Sequence, residues 1–481
     1  MSERWLRTLD GEPMQLSEET VSAFANSLRG ALLRPEDAGY DDVRKIWNGM
    51  IDKRPALIAR CAGTADVLEA VRFAREHNLL FSVRGAGHNI AGTALNDGGL
   101  MIDLQPMQGV HVDPTNRRVR VQPGVTLGAL DRETQVHGLV VPAGIISETG
   151  VSGLTLGGGF GWLTRKYGYT SDWLRSADVV TAEGEILTTS PDSHPDLFWA
   201  LTGGGGNFGV VISYEFEAVP LGPTVMAGLV FHPMTAAGDV MRLFQMVTSA
   251  APDELTLLLI TRLAPPLPFI PQEHHGAPVV GIAMHYAGSL EDAEPWARRI
   301  KEFGAPLVDT IQPKPFRVHQ SFLDAGQPSG RHYYWKSDYA DAFSPELGEQ
   351  MVAHTSAMPS PLSATLTMHL GGQARQVAPG ASAVAHRDAE YIVVIQASWL
   401  DAAGTDANVA WARNYFEAVQ PYSSGGTYVN FLNEDDAQDR TRQAYDTATY
   451  ARLAEIKGRY DPENMFRSNK NIQPLVPAGQ R

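Results

Sequence analysis

The sequence predicts an α+β protein, and two patterns along the chain carry that prediction. In the first 220 residues, short strand-like runs such as ALIARC (56–61) alternate with helical stretches and glycine-rich loops. From about 221 to 425, longer strand-like runs such as LTLLLITRL (255–263) alternate with helical stretches and proline-rich loops, which is typical of an antiparallel sheet covered by helices. We therefore predict two domains, 1–220 and 221–425, and a final segment, 426–481, that packs back onto the first domain.

In the first half of the predicted domain 1–220, hydrophobic spacing indicates the helices and strands. ALIARC is continuously apolar, as a buried strand is, and a helix with Thr64 as its N-cap follows it. The runs 80–85 and 100–104 are typical of further strands. Valines alternate on both sides of a turn within 110–121, which predicts a hairpin.

The second half of the domain continues in the same way. Residues 126–137 have helical spacing and end at Gly138, a typical C-cap residue. The run 177–189 is predicted to be two strands joined at Glu183-Gly184, followed by a short helix at 194–201. A strand at 210–219 completes the domain. The mixture of strands and helices up to about residue 220 predicts one α+β unit.

Composition excludes several classes of function. A net charge of −15 argues against nucleic acid and anionic membrane surfaces, because phosphate groups require a basic surface. One cysteine excludes an intramolecular disulfide and a cysteine-built zinc site, and we expect no metal. The N-terminus lacks the apolar core of a signal peptide, and no apolar run reaches the roughly 20 residues of a membrane span. We expect a cytoplasmic protein whose partners are small molecules.

Two glycine-rich segments are the main candidates for a ligand site. The first, RGAGHNIAG (84–92), leaves a predicted strand and holds His88 at its centre; on spacing alone that histidine could be structural or functional. The second, 150–161, has six glycines in twelve residues, which predicts a loop rather than a helix or strand interior. A third segment, 204–209, matches G-x-G-x-x-G, but a helix precedes it and a strand follows it, the inverse of a dinucleotide fingerprint.

Together these segments resemble the FAD-binding unit of vanillyl-alcohol oxidase and berberine-bridge-enzyme relatives, over nearly the whole chain. The motifs that carry the resemblance are RGAGHNIAG, PAG (142–144), LGGGFGWL (156–163), GGGGNFGVV (203–211), YVNF (428–431), RYDPENMF (459–466) and NIQP (471–474). The runs 46–61 and LAPPLPF (263–269) also resemble bacterial members, such as the flavoenzyme of enterocin-type polyketide biosynthesis. Glu148, Ile260 and Leu366 differ from that protein's substrate pocket, so its rearrangement chemistry is not carried over.

The resemblance implies a PCMH-type FAD-binding domain and FAD bonded through its 8α-methyl to His88. Some relatives have a second tether, a cysteine, where this chain has Ile146, and Cys61 is distant in sequence, so we expect a single tether. The residues implied to contact the cofactor are Arg84, Gly85, Ala86, Gly87, His88, Asn89, Gly92, Gly150, Gly153, Leu156, Gly157, Gly158, Gly161, Gly209, Val211, Tyr428, Asn469 and Asn471.

The resemblance also implies the catalytic residues. Tyr428 matches the base that takes a proton while hydride moves to flavin N5; a phenol has a pKa near 10, so something must depress it. The alternative is a buried tyrosine that only satisfies a hydrogen bond. Asn430 is expected to orient the phenol, and Phe431 replaces a second tyrosine of many relatives. Thr149 stands where relatives control oxygen access to the flavin, and a residue other than leucine favours oxidase activity.

Three further residues are weaker candidates. Glu148 adjoins Thr149, and His369 lies on a predicted strand, LSATLTMHL, that should face the substrate; either could instead make an ordinary surface or core contact. Lys470 replaces a glutamine of the family and could stabilise the reduced flavin or point to solvent. The sequence thus predicts an FAD oxidase that forms H₂O₂ from O₂ while oxidising a natural-product or alcohol substrate. The alternatives are a dehydrogenase, a mono-oxygenase, or a flavin-storing protein without catalysis.

Overall fold

The computed structural model describes residues 4–266, 270–436 and 438–475. The predicted loop that contains LAPPLPF therefore lies in part, at 267–269, outside the described residues. The strands are β1 (Arg4–Arg7), β2 (Pro13–Leu16), β3 (Ala31–Leu33), β4 (Leu57–Arg60), β5 (Phe81–Arg84), β6 (Leu100–Asp103), β7 (Val110–Asp113), β8 (Arg118–Val121), β9 (Leu139–Val140), β10 (Leu174–Val180), β11 (Ile186–Thr189), β12 (Val210–Glu217), β13 (Val219–Pro220), β14 (Thr224–Pro233), β15 (Leu255–Leu263), β16 (Pro278–Tyr286), β17 (Val308–Asp309), β18 (Gln312–Pro315), β19 (His332–Ala340), β20 (Ala364–His369) and β21 (Tyr391–Trp399).

Helices connect these strands and cover the sheets. They are α1 (Glu18–Ser27), α2 (Tyr40–Val43), α3 (Thr64–Glu76), α4 (Leu127–Thr134), α5 (Val151–Leu156), α6 (Thr164–Tyr167), α7 (Pro195–Leu201), α8 (Ala237–Thr248), α9 (Leu290–Lys301), α10 (Phe316–Gln320), α11 (Pro345–Ser356), α12 (Thr405–Val419), α13 (Gln438–Gln443) and α14 (Thr447–Tyr460). Within the described residues, none of these helices is long and apolar enough to span a bilayer.

Two sheets make up most of the N-terminal half. A four-stranded sheet has the order β3-β4-β6-β5, and its two inner pairings, β4 with β6 and β6 with β5, are parallel. A five-stranded antiparallel sheet has the order β11-β10-β12-β8-β7 and includes both predicted hairpins. The predicted helix at 126–137 runs through α4, and Gly138 ends it with φ +66°, as a left-handed C-cap does.

Two predictions of local structure are wrong in this half. Thr64 is the first helical residue of α3 rather than its N-cap, which is Gly63. Residues 150–161 are not one loop, because α5 forms within them. Only Gly153 lies inside that helix; Gly150 precedes it as the N-cap and the other glycines follow it, so one interior glycine costs roughly 1 kcal/mol, which packing offsets.

The C-terminal half is built on one antiparallel sheet. Its order is β17-β14-β16-β15-β20-β21-β19, and β18 also pairs with β14. One face packs against α8, α9, α11 and α12 through a core that includes Leu257, Ile282 and Val393. The other face, with Leu258, Leu366 and Val394, turns toward the glycine-rich segments. The α+β class and the antiparallel sheet covered by helices are confirmed.

The C-terminal segment lies against the N-terminal half. Helix α14 packs on α7, and its Leu453 and Ile456 share a core with Leu197. Lys457, which is fully buried, donates to the Asn207 carbonyl and forms an ion pair with Asp461. The division of the chain at 220 and 425 stays a prediction.

A buried cluster of two histidines and a tryptophan lies between β16 and α10. The rings of His285 and His319 lie 5.1 Å apart, and the ring of Trp162 lies 4.5 Å from that of His319. All four imidazole nitrogens and the indole nitrogen are buried without a hydrogen-bond partner in the described part of the chain. Burial lowers the pKa of His285 to about 3 and that of His319 well below its usual value. Both imidazoles are therefore neutral in the folded protein.

This cluster predicts acid sensitivity. Below about pH 6.5 the unfolded chain binds protons at both histidines while the folded chain does not, so stability falls as the pH falls. The loss should approach about 1.4 kcal/mol per pH unit for each histidine, continuing to about pH 3 for His285. Urea unfolding of the parent and His285→Leu between pH 7.5 and 5 should show a shallower pH slope in the variant. The exposed His137→Leu is the matched control, and equal slopes for His285→Leu and the parent would refute the prediction.

Candidate functional site

A cavity of about 280 Å³ lies where the N-terminal loops, the inner face of the large sheet and the C-terminal segment meet. Its walls on the N-terminal side come from the ranges 81–90, 144–160 and 205–211. The sheet contributes side chains of β15, β19, β20 and β21, and the C-terminal segment contributes 428–432 and 466–470. The cavity thus joins segments that are far apart in sequence, including both main glycine-rich candidates.

His88 lies at the cavity wall in a stack of aromatic rings. Its imidazole lies 4.2 Å from the Trp47 ring, which in turn stacks on Tyr333 at 3.7 Å. The Nε2 atom is buried and has no hydrogen-bond partner among the described residues. Burial lowers the pKa of His88 to about 4, so the ring is neutral near pH 7. A neutral, oriented imidazole with an unpartnered nitrogen is a suitable nucleophile for an electrophilic ligand.

Glycines leave the cavity open and bring its walls close together. A Cβ atom at Gly153 or Gly206 would meet no other atom within 4 Å, and both residues line the cavity. By contrast, a Cβ at Gly150 would lie 2.8 Å from the Cβ of Ala86, so this glycine allows the two glycine-rich segments to touch. The residues present therefore fit a large flat cofactor such as FAD, because space is left where side chains would otherwise project.

Tyr428 also lines the cavity, and two N–H groups converge on its phenol oxygen. The Gly159 backbone N–H donates to it at 3.0 Å, and the Asn430 side-chain amide donates at 3.0 Å. Asn430 fits against Gly157, where a Cβ would come within 2.3 Å of its amide. Burial raises the pKa of Tyr428 above its usual value, and the two donors oppose that rise. The protein alone does not depress this pKa, contrary to what base catalysis requires.

Thr149 and Ile146 line the cavity, whereas Glu148 does not. Thr149 is half-buried, and its backbone closes the turn by donating to the Ile146 carbonyl at 3.2 Å. The Glu148 side chain is exposed and lies outside the cavity lining. Adjacency in sequence therefore does not bring Glu148 to the site.

His369 is on the predicted strand but on its other face. Leu366 and Met368 of β20 line the cavity, and alternation turns His369 toward the covering helices. Its Nε2 lies 2.9 Å from Arg165 Nη1 and 2.9 Å from Glu390 Oε1, and burial lowers its pKa to about 4. The expectation that His369 faces the substrate is wrong because the strand is buried on both faces and its period of two is hidden in the sequence.

The other predicted cofactor residues divide into two groups. Those that line the cavity are Gly85, Ala86, Gly87, Asn89, Leu156, Gly209, Val211 and Asn469. Those outside the lining are Arg84, Gly92, Gly158, Gly161 and Asn471, together with Gly157 behind Asn430. Arg84 instead forms a buried ion pair with Asp103 at 2.9 Å, and so fixes the end of β5 rather than a ligand.

Several cavity residues were not predicted from the sequence, and the position of Lys470 was left open. Trp47, Gln327, Trp335 and Gln396 all line the cavity, but each lies in a run without a glycine-rich motif. Lys470 also lines it, and its ammonium group donates to the Asn433 carbonyl. Burial lowers the pKa of Lys470 to about 8. Lys470 therefore does not simply point to solvent.

The open space at Gly153 gives a direct test of the cavity. Gly153→Leu should fold normally, because leucine favours a helix and a Cβ at this position would meet no other atom within 4 Å, yet its side chain would occupy cofactor space. Flavin absorbance per chain should fall several-fold in this variant. Gly238→Leu, on the exposed surface of α8, is the matched control. Full flavin content in Gly153→Leu would show that the cofactor lies elsewhere.

Comparisons with known proteins agree with this geometry. Residues 55–190 match the family described as FAD binding domain, and residues 427–473 match the family described as Berberine and berberine like. The (R)-6-hydroxynicotine oxidase of Paenarthrobacter nicotinovorans is 32% identical over 464 residues, 93% of this chain and 97% of that protein. The aclacinomycin-N/aclacinomycin-A oxidase of Streptomyces galilaeus is 27% identical, covering 95% of this chain and 92% of that protein.

A solved structure matches over a similar span. The crystal structure of 6-hydroxy-D-nicotine oxidase from Arthrobacter nicotinovorans superposes with a TM-score of 0.84 at 30% identity. The match covers 93% of this chain and 99% of that one. The chain is thus similar over nearly its whole length to proteins that are named as oxidases.

Proposed function

Because the chain belongs to the berberine-bridge-like family of FAD-linked oxidoreductases, we propose that it is an oxidase with FAD bonded to His88. It oxidises a small organic molecule and reduces O₂ to H₂O₂. The observation that carries the proposal is the Nε2 atom of His88, a buried and unpartnered nitrogen on the cavity wall among the described residues. A buried polar atom without a partner is rare and calls for a ligand.

FAD would be held mainly by residues whose backbone atoms form the cavity wall. The loop from Gly85 to Asn89 and the start of α5 would contact it on one side, and Gly205 and Gly206 would contact it on another. Asn469 would add a side chain, since its Oδ1 is buried and unpartnered in the described chain while its amide donates to the Gly206 carbonyl at 3.0 Å. Backbone amides suit the pyrophosphate, and glycines allow its close approach.

The tether is proposed to be single. Ile146 lines the cavity where a second tether would need a sulfur atom, and an alkyl side chain cannot form that bond. Cys61 is fully buried at the end of β4, outside the cavity lining, and burial raises the pKa of its thiol. A protonated, buried thiol is not a reactive nucleophile.

When bound, FAD would supply the two-electron acceptor for oxidation of the substrate, and return of both electrons to O₂ together with two protons would give H₂O₂. The chain's own residues handle the proton. Tyr428, as the phenolate, takes it from the substrate, while Asn430 and the Gly159 N–H hold its oxygen in place and stabilise the negative charge that this oxygen carries before the proton arrives. Without these donors a buried phenolate would be prohibitively desolvated.

The substrate is proposed to be a neutral natural-product intermediate or an alcohol. Relatives are named for substrates as different as 6-hydroxynicotine, aclacinomycins and xylooligosaccharides, so membership of the family does not choose among them. The sheet face that closes the cavity is largely apolar, with Leu258, Leu366 and Val394. An apolar face supports a substrate with a hydrocarbon or aromatic body.

Peroxide yield tests this function without knowledge of the substrate. The purified yellow protein is reduced anaerobically by light and EDTA and then mixed with air-saturated buffer. The proposal predicts rapid return of the yellow colour with one H₂O₂ per flavin. Persistence of the reduced flavin would instead identify a dehydrogenase. Protein without any flavin, both as isolated and after incubation with FAD, would refute the proposal altogether.

A further inference from the structure

The inner face of the large sheet is arranged in rows across the cavity. Antiparallel register aligns Ala364, Gln396 and Trp335 in one row. The next row aligns Ile260, Leu366, Val394 and Ser337, and the one after it aligns Leu258 with Met368. Side chains in one row lie about 5 Å apart, and successive rows lie about 7 Å apart along the strands. The side chains on the sheet face that lines the cavity therefore change from polar to apolar over a distance comparable to the length of a small molecule.

Two hydrogen-bonding groups at the polar row, one on the row itself and one on a neighbouring loop residue, have no partner in the described part of the chain. Trp335 Nε1, a donor, and Gln327 Oε1, an acceptor, are both buried without a partner in the described part of the chain, and both residues line the cavity. The Gln327 amide N–H₂ donates to Gln396 Oε1 at 3.0 Å, which ties the loop residue to the sheet. Gln396 lies opposite Trp335 in the sheet and binds Gln327, so it links the unsatisfied donor to the unsatisfied acceptor, and the two together need a ligand that offers the reverse pair.

The electrostatics of the lining limit the charge of that ligand. Among the described residues that line the cavity there is no aspartate, glutamate or arginine, and Lys470 is the one lysine. A cationic substrate would therefore lose its hydration without gaining a counter-charge, which is unfavourable. The polar row itself is uncharged. The lining therefore favours a neutral group over an ammonium or a carboxylate at the Trp335 end.

We propose that the substrate is a neutral molecule recognised through an amide-like group that both accepts and donates a hydrogen bond. Trp335 Nε1–H donates to its carbonyl-type oxygen, and Gln327 Oε1 accepts from its N–H or O–H, while Gln396 positions Gln327. The rest of the molecule lies under Leu366 and Val394. This inference rests on the proposed function in that it takes the cavity to be the substrate site beside the flavin.

Ligand titrations of the FAD-loaded protein test the proposal. The probes are benzamide, methyl benzoate, benzoate and benzylamine, which share a ring but differ in donor capacity and charge. Each is added until the shift in flavin absorbance saturates. Benzamide should bind at least about tenfold more tightly than methyl benzoate, which lacks the donor, and than the two charged probes.

Variants assign that preference to the named side chains. Gln327→Leu and Trp335→Phe should each weaken benzamide binding about tenfold or more, and Gln327→Leu should bring benzamide and methyl benzoate close together. Gln245→Leu, an exposed position on α8, makes the same chemical change as the matched control. If one variant fails to fold, the other still tests the assignment.

The outcomes separate this inference from the proposed function. Equal binding of benzamide and methyl benzoate by the parent, an unchanged benzamide affinity in both variants, or no spectral shift with any probe would overturn the inference. None of these results depends on peroxide formation or on the bond to His88. A protein that selects benzamide but forms no peroxide would refute the oxidase and leave the recognition in place.

Discussion

Tyr428→Phe is expected to slow reduction of the flavin by substrate roughly 10²–10⁴-fold, the contribution that a positioned general base makes. The change removes only a hydroxyl group, while the phenyl ring keeps its contacts with Phe160 and Phe431. The fold, the flavin content and most of the substrate affinity should therefore stay. Stopped-flow reduction under anaerobic conditions measures the effect, with Tyr422→Phe, a half-buried tyrosine on the far side of the sheet, as the matched control.

The pH dependence gives an independent reading of the same residue. Burial raises the pKa of Tyr428, so the phenol is protonated near pH 7 and the reactive form increases as the pH rises. The parent's rate of flavin reduction should rise on the alkaline side, and that rise should vanish in Tyr428→Phe. A near-parental rate in the variant would remove Tyr428 from the role. His369 and Glu148 would then need to act over a distance, since neither lines the cavity.

Thr149→Leu is expected to slow reoxidation of the reduced flavin by O₂ by about tenfold or more, which corresponds to about 1.4 kcal/mol in the barrier. Thr149 lines the cavity and is half-buried, so a larger, γ-branched side chain would fill the space that oxygen needs. Reduction by substrate should change far less, because Thr149 is not one of the two groups that donate to the phenol oxygen of Tyr428.

Photoreduced protein mixed with oxygenated buffer measures this rate directly. Thr115→Leu, at an exposed turn after β7, makes the same substitution away from the cavity and should reoxidise at the parental rate. Unchanged reoxidation in Thr149→Leu would show that oxygen reaches the flavin by another path. A parallel loss of both half-reactions would indicate a displaced flavin rather than a closed path.

Local patterns predicted much of the fold. The sequence shows strands such as β15 and β21 as continuous apolar runs, and it shows the helix cap at Gly138. At these places the intrinsic preference of the residues and their burial favour the same structure. The helix α5 was hidden, since a count of glycines does not say which of them lie inside a helix. The face of His369 was hidden as well, because β20 is buried on both sides and shows no alternation.

The site residues that lie in a sequence motif were predictable, whereas the residues that only the fold brings together were not. The glycine-rich segment around His88 identified one wall, and the family resemblance identified Tyr428 and Asn430. The stack of Trp47 on His88 joins residues 41 positions apart, and the Gln327–Gln396 bond joins residues 69 positions apart. Contacts of this range depend on sheet register, which one sequence does not specify.

The most direct test of the account is mass spectrometry of the denatured protein. A covalent bond survives denaturation, whereas FAD held only by the folded cavity is released. The account predicts one FAD-sized adduct per chain, on the peptide that contains His88, and none in His88→Ala. An adduct on the Cys61 peptide, or flavin-containing protein that releases all its FAD on denaturation, would contradict it.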